Sequence, residues 1–218
     1  MRRTLLCLIF GSFAARLSGQ QAPPAAAPAP KPVELYNGLG SHHHPIRTGN
    51  TEAQRFFDQG FVLLYGFNHE EAYRSFEKAA ELDASSPMPH WGMALSLGAN
   101  YNDPEPEADR LKKARAEVEK ALALASAAPE NERAYVEALA TRYVADPAAA
   151  DRAQLSRDYA AAMKRLSASY PDDLDAATLY AESLMDLHPW KLWTPAGEPG
   201  EDTVEIVAVL ESVLKRDP

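Results

Sequence analysis

The stretch AQRFFDQGFVLLYGFNHEEAYRSFEKAAELDASS, residues 53–86, decides the fold. Counted from Ala53, it sets Phe56 fourth, Gly60 eighth, Ala72 twentieth, Phe76 twenty-fourth and Ala79 twenty-seventh. Small residues at the eighth, twentieth and twenty-seventh places let two antiparallel helices approach closely, and the bulky residues at the fourth and twenty-fourth fill the groove between them. Asn68 followed by Glu71 has the spacing of a capping box, so a second helix starts just after Gly66. The stretch predicts a helix–turn–helix unit whose two helices pack face to face.

These spacings are those of the tetratricopeptide repeat, a helical pair of about 34 residues that stacks on copies of itself. The thirty-second place departs from the pattern, with Ala84 where proline is usual. Other helix starts are signalled by Thr51 with Gln54, by Ser86-Pro87, Asp103-Pro104 and Asp146-Pro147, and by Asp202 with Glu205. The helices so delimited run over 52–66, 69–83, 87–99, 104–126, 130–144, 147–169, 173–187 and 203–216. The second pair has Ala94 at the small eighth place but meets the pattern again only at Ala114, Val118 and Ala121, late by the length of an inserted turn over 100–107. Met163, Leu166 and Pro171 close the third pair, and Leu210, Val213 and Pro218 the fourth, with the spacing of Phe76, Ala79 and Ala84. The expected fold class is all-α, a tetratricopeptide-like α-α superhelix (solenoid) of antiparallel helical pairs over 51–218. In such an array every turn inside a pair lies on one edge, so the turns at 66–69, 100–107, 144–149 and 187–200 are expected to be neighbours. The chain stops after its fourth pair without a polar closing helix, and the array is expected to continue beyond residue 218.

Of the 218 residues 46% are hydrophobic and 24% charged, with a formal net charge of -9. That balance suits a soluble globular chain and opposes a phosphate backbone, so no nucleic-acid partner is expected. Arg2 and Arg3, an apolar run from Leu5 to Ala15, and Ser18-Gly19-Gln20 have the layout of a secretory signal peptide over 1–20. The apolar run is too short to span a bilayer as a helix, and no transmembrane segment is expected after it. Arg16 and Leu17 blur the cleavage site, which leaves an uncleaved leader as the alternative, and Arg2-Arg3 also admits twin-arginine export. Either route puts the protein in the periplasm or outside the cell. Cys7, the only cysteine, lies inside the leader, so the mature chain forms no disulfide and depends on helix packing. Residues 21–32 are Ala and Pro almost throughout and read as an extended linker. Residues 33–50 carry Gly38, Gly40, three histidines and Pro45 without helical period, and read as an ordered arm or a loose lead-in.

Taken with His42 to Pro45, the run Tyr65-Gly66-Phe67-Asn68-His69, His90-Trp91-Gly92, Gly98-Ala99-Asn100-Tyr101-Asn102 and Pro189-Trp190-Lys191-Leu192-Trp193-Thr194, the chain resembles a family of secreted bacterial tetratricopeptide-repeat proteins. The resemblance covers nearly everything after the linker. It implies the repeat fold, export and a chain that continues past residue 218, and it supplies no established reaction.

Adjacent side chains of an extended segment point alternately apart, so His42, His43 and His44 cannot all meet one ion, although two of them with a distant ligand can. The metal candidates are His42, His44 and His69, the last near a helix N-terminus where the dipole favours a neutral imidazole. The plain alternative for each is a solvated or capping histidine, and His90 reads as a buried, hydrogen-bonded one. Trp190 and Trp193 with His188 make the most unusual loop, because turns rarely hold two tryptophans unless these bury or bind something. They either pack onto their own repeat or join Tyr65, Phe67, Asn68, His69, Asn100, Tyr101 and Asn102 in a rim of aromatic and amide groups suited to a protein or sugar surface. No Gly-rich phosphate loop, elbow nucleophile, zinc-protease His-Glu pair or nucleophilic cysteine is present, so no catalytic residue and no cofactor is assigned. Glu70, Glu71, Asp103 and Glu105 read as helix-start charges. The expected function is that of an exported scaffold binding a protein or peptide partner in the cell envelope. The alternative is a small-ligand or metal-binding protein, with hydrolytic chemistry in view, that uses the histidine arm and the turns.

Overall fold

The first helix begins where Asn50 turns its side-chain oxygen onto the backbone N–H groups of Glu52 and Ala53, at 2.9 and 3.2 Å. In a computed structural model describing residues 32–218, the helices are α1 (Thr51–Tyr65), α2 (His69–Leu82), α3 (Met88–Leu97), α4 (Ala108–Ala125), α5 (Glu130–Ala140), α6 (Arg152–Ser169), α7 (Leu174–Met185) and α8 (Thr203–Arg216). The expected leader and most of the Ala-Pro linker lie outside the described residues. The described chain is all-α: two isolated bridges, Asn100 with Asp103 and Trp193 with Pro199, are its only β pairing. No described helix is long and apolar enough to cross a membrane.

Every expected helix is present, but several starts move. The α1 cap is Asn50 rather than Thr51. Asp103-Pro104 does not open α4, because Asp103 and Asn100 bond each other's backbones at 3.0 and 3.1 Å in a turn and the helix waits until Ala108. Asp146-Pro147 does not open α6 either: the Asp146 carboxylate accepts the Ala148 N–H at 3.1 Å, and Asp151 supplies the cap through Gln154. A short acidic side chain before proline serves a turn as readily as a helix end. At α3, Pro87 takes the cap position and the buried Ser86 hydroxyl finds no hydrogen-bond partner among the described residues.

Each helix packs on its sequence neighbours, and α3 also touches α1 and α5. The tightest joint centres on the fully buried Phe76 of α2. A Cβ at Gly60 of α1 would lie 2.7 Å from its ring, and one at Gly92 of α3 2.6 Å. The phenyl group is thus held between two helices that reach it only because both contact residues lack a side chain. Phe57, Phe61, Trp91 and Tyr135 continue the buried aromatic layer across α1, α3 and α5.

The arm before α1 is ordered and belongs to the same compact unit, Val33–Pro218. Gln54 and Asp58, one helical turn apart on α1, and Gln59 beside them hold its backbone. The Gln54 amide donates to His44 O and accepts from Ile46 N–H, at 2.8 and 3.0 Å. Asp58 accepts the His44 N–H at 3.2 Å. Gln59 accepts the Tyr36 N–H and donates to Glu34 O, at 2.7 and 3.0 Å. Because side-chain amides supply both donor and acceptor, an irregular segment lies against a helix with these backbone groups satisfied.

Candidate functional site

The turn after α1 ends in a Schellman arrangement: Asn68 N–H reaches Leu63 O and Phe67 N–H reaches Leu64 O, at 2.9 and 3.0 Å. Its left-handed position, usually glycine's, is held by Phe67 at φ 58°. The preceding Gly66 has an ordinary φ of -79°. Phe67 is 51% exposed, and its ring meets His69 edge-on at 6.0 Å. Neither ring nitrogen of His69 has a hydrogen-bond partner among the described residues. Burial and the nearby Arg110 charge hold its pKa below the ordinary histidine value, against the opposing field of Asp103.

Tyr101 and Trp190, from the turns after α3 and α7, meet at 4.9 Å between ring centroids with their planes tilted by 47°. Trp190 is 70% exposed at φ 63°, and Trp193 is 57% exposed, so neither ring is packed away on its own repeat. The first residue of α6, Arg152, reaches the turn after α3 and donates to Pro106 O at 3.1 Å. Three of the expected rim residues have other work. Asn100 is buried and its side chain closes its own turn on the N–H groups of Asn102 and Asp103. His188 is bound to Asp202 at 2.9 Å within the last loop. Tyr65 donates to Asp175 at the start of α7, at 2.8 Å. Asn68 and Asn102 are exposed.

Tyr65 leads to a second group that the arm completes. His42 and His44, two residues apart in extended backbone, face the same side. His44 Nδ1 lies 2.7 Å from Asp175 Oδ2, and His42 Nε2 lies 3.4 Å from Asp175 Oδ1. His43 faces the other way, onto Asp58 at 2.8 Å. Asp173 caps α7 with one oxygen, accepting the Ala176 N–H at 3.0 Å, and takes the Tyr135 hydroxyl on the other at 2.9 Å. The His44 ring stands edge-on to Phe61 and Tyr135, and His42 does the same to Phe61 and Tyr65. Burial raises the Asp175 pKa, but the bond from His44, the two histidine charges and the Tyr65 hydroxyl outweigh it and leave the carboxyl below its usual range. Burial beside these carboxylates pushes the Tyr65 and Tyr135 hydroxyls well above theirs. One ligand atom each from His44, Asp173 and Asp175 falls within 4.8 Å of the others, as do atoms of His188, Glu201 and Asp202 in the last loop. His69 belongs to neither group. Asp173 and Asp175 escape a reading along the chain, since 131 residues separate Asp175 from His44.

Beneath the turn after α5, Arg142 donates to Asp186 at 2.6 Å and lies over the Tyr159 ring at 4.8 Å. Burial and the neighbouring Asp186 raise the Glu182 carboxyl above its usual range, against the Arg142 charge. This group ties the turn to the end of α7. No protein-family model, no curated protein and no solved structure matches the chain.

Proposed function

We propose that the eight helices are four stacked pairs of tetratricopeptide type, and that the protein is an exported scaffold binding a protein or peptide partner in the cell envelope along its turn edge. The contact of Tyr101 with Trp190 carries the reading, because it joins turns from two pairs distant in sequence and leaves large aromatic surface open. Phe67 and Trp190 support it further. Each presents an exposed aromatic side chain from left-handed backbone, which costs a non-glycine residue roughly 1–2 kcal/mol. The Schellman turn itself calls for left-handed backbone at Phe67, but glycine would serve it without strain, and a binding role accounts for an exposed aromatic residue kept there instead. The contacts of α3 with both α1 and α5 suit the stacking of pairs. Export rests on the layout of the first twenty residues.

The test is affinity capture from the cell envelope by the wild-type chain and by Trp190→Ala in parallel. A partner held by the wild type should bind the variant at least about 2 kcal/mol more weakly, the behaviour of an interface hot spot. Equal affinity for the same partner with both proteins removes the turn edge as the binding surface.

A further inference from the structure

We propose that His42, His44, Asp173 and Asp175 form a binding site for a divalent transition-metal ion of the zinc type, separate from partner binding at the turn edge. The donor set is two imidazoles and two carboxylates, which suits zinc and its neighbours in the first transition row. Calcium and magnesium take oxygen ligands almost throughout. Spacing points the same way. With metal–ligand bonds of about 2.0–2.2 Å, the corners of a tetrahedron lie roughly 3.3–3.6 Å apart. Atoms of His44, Asp173 and Asp175 lie within 4.8 Å of one another, and His42 stands outside that group, with its Nε2 3.4 Å from Asp175 Oδ1, so it reaches a shared ion by turning its ring.

His42 Nε2 faces Asp175 Oδ1 at 3.4 Å without making a hydrogen bond to it. It is closed off from solvent and has no hydrogen-bond partner among the described residues. The other members are held in place from behind. Tyr65 bonds Asp175, and Tyr135 and the first turn of α7 bond Asp173, while Phe61 flanks both imidazoles. The two carboxylates and the His44 ring, held this way, meet an ion with little rearrangement, and His42 joins them by turning its ring. Access is open on one side. The His42 side chain is 30% exposed, and it lines a groove of about 840 Å³ with Ser41, Asn131, Asp172 and Thr178.

The full chain, stripped with a chelator, is titrated with zinc in a calorimeter and with cobalt(II) while its visible absorption is followed. One equivalent of zinc should bind, and cobalt should develop the intense visible bands of tetrahedral coordination. His42→Ala, which removes no hydrogen bond and should leave the circular dichroism spectrum unchanged, lowers zinc affinity by about a hundredfold or more. Tyr135→Phe keeps all four donors but frees Asp173, and lowers affinity about 10–100-fold. His188→Ala, in the other histidine–carboxylate group, changes nothing. Zinc affinity that survives His42→Ala, or that is lost in His188→Ala instead, overturns the assignment, as does a wild-type chain that binds neither ion.

Discussion

The turn edge and the histidine pocket hold nearly all the residues that stand out along the chain, and they treat those residues in opposite ways. At the edge, Phe67, Trp190 and Trp193 are left open to solvent, two of them on strained backbone. In the pocket, His44 is buried, and its ring nitrogen, the Asp175 carboxylate and the Tyr65 hydroxyl satisfy one another. The difference shows where each region draws its stability. The pocket helps to hold the arm on the helices, whereas the edge keeps exposed surface at a cost to the fold.

The largest effect should come from the pocket. Asp175→Ala strands the His44 and Tyr65 donors in a buried setting and should cost about 3 kcal/mol of unfolding free energy. Trp190→Ala, in the same denaturant series with chelator present, should change stability by less than about 0.5 kcal/mol. Equal losses for the two variants would erase the contrast between the regions.

A second carboxylate on α7 sharpens the comparison through pH. Glu182, held up to about 8 by burial and Asp186, keeps its proton in the folded state where the unfolded chain, near the ordinary 4.5, has released it. The folded state then binds more protons than the unfolded one, so stability should fall as pH rises from about 4.5 to about 8. Chemical denaturation across that window should show the decline, and Glu182→Gln should flatten it. A slope that Glu182→Gln leaves unaltered would assign the titration to Asp186, which also stands above its ordinary value.

The smallest effect has the opposite sign. Phe67→Gly relieves the left-handed strain at the end of α1 and should raise stability by about 1 kcal/mol, visible as a higher melting temperature. A lower melting temperature would mean that the exposed ring does structural work and that the edge is not strained on behalf of binding.

Much of this was legible in the residues. Gly60, Ala72, Phe76 and Ala79 mark the α1–α2 joint because helix packing depends on side-chain volume at fixed spacing. The alternation of the histidines also reads correctly, with His42 and His44 on one side and His43 on the other. The caps at Asp103 and Asp146 misled, because the same side chain before proline closes a turn when the following residues do not continue the helix. Tyr65 and Asn100 were assigned to the edge by proximity in sequence, but a one-residue rotation on a helix, or a single side-chain turn, sends such groups inward.

By itself the sequence determined the all-helical character, the number of helices and the tight α1–α2 joint. Each of these is set by neighbours within one or two turns of helix, where period and residue volume act locally. Tertiary structure alone decided that Asp173 and Asp175 meet the histidine arm, that Tyr65 turns toward them and that Tyr101 meets Trp190. These contacts join residues far apart in the chain through the relative placement of several packed helices, a geometry that no local spacing encodes.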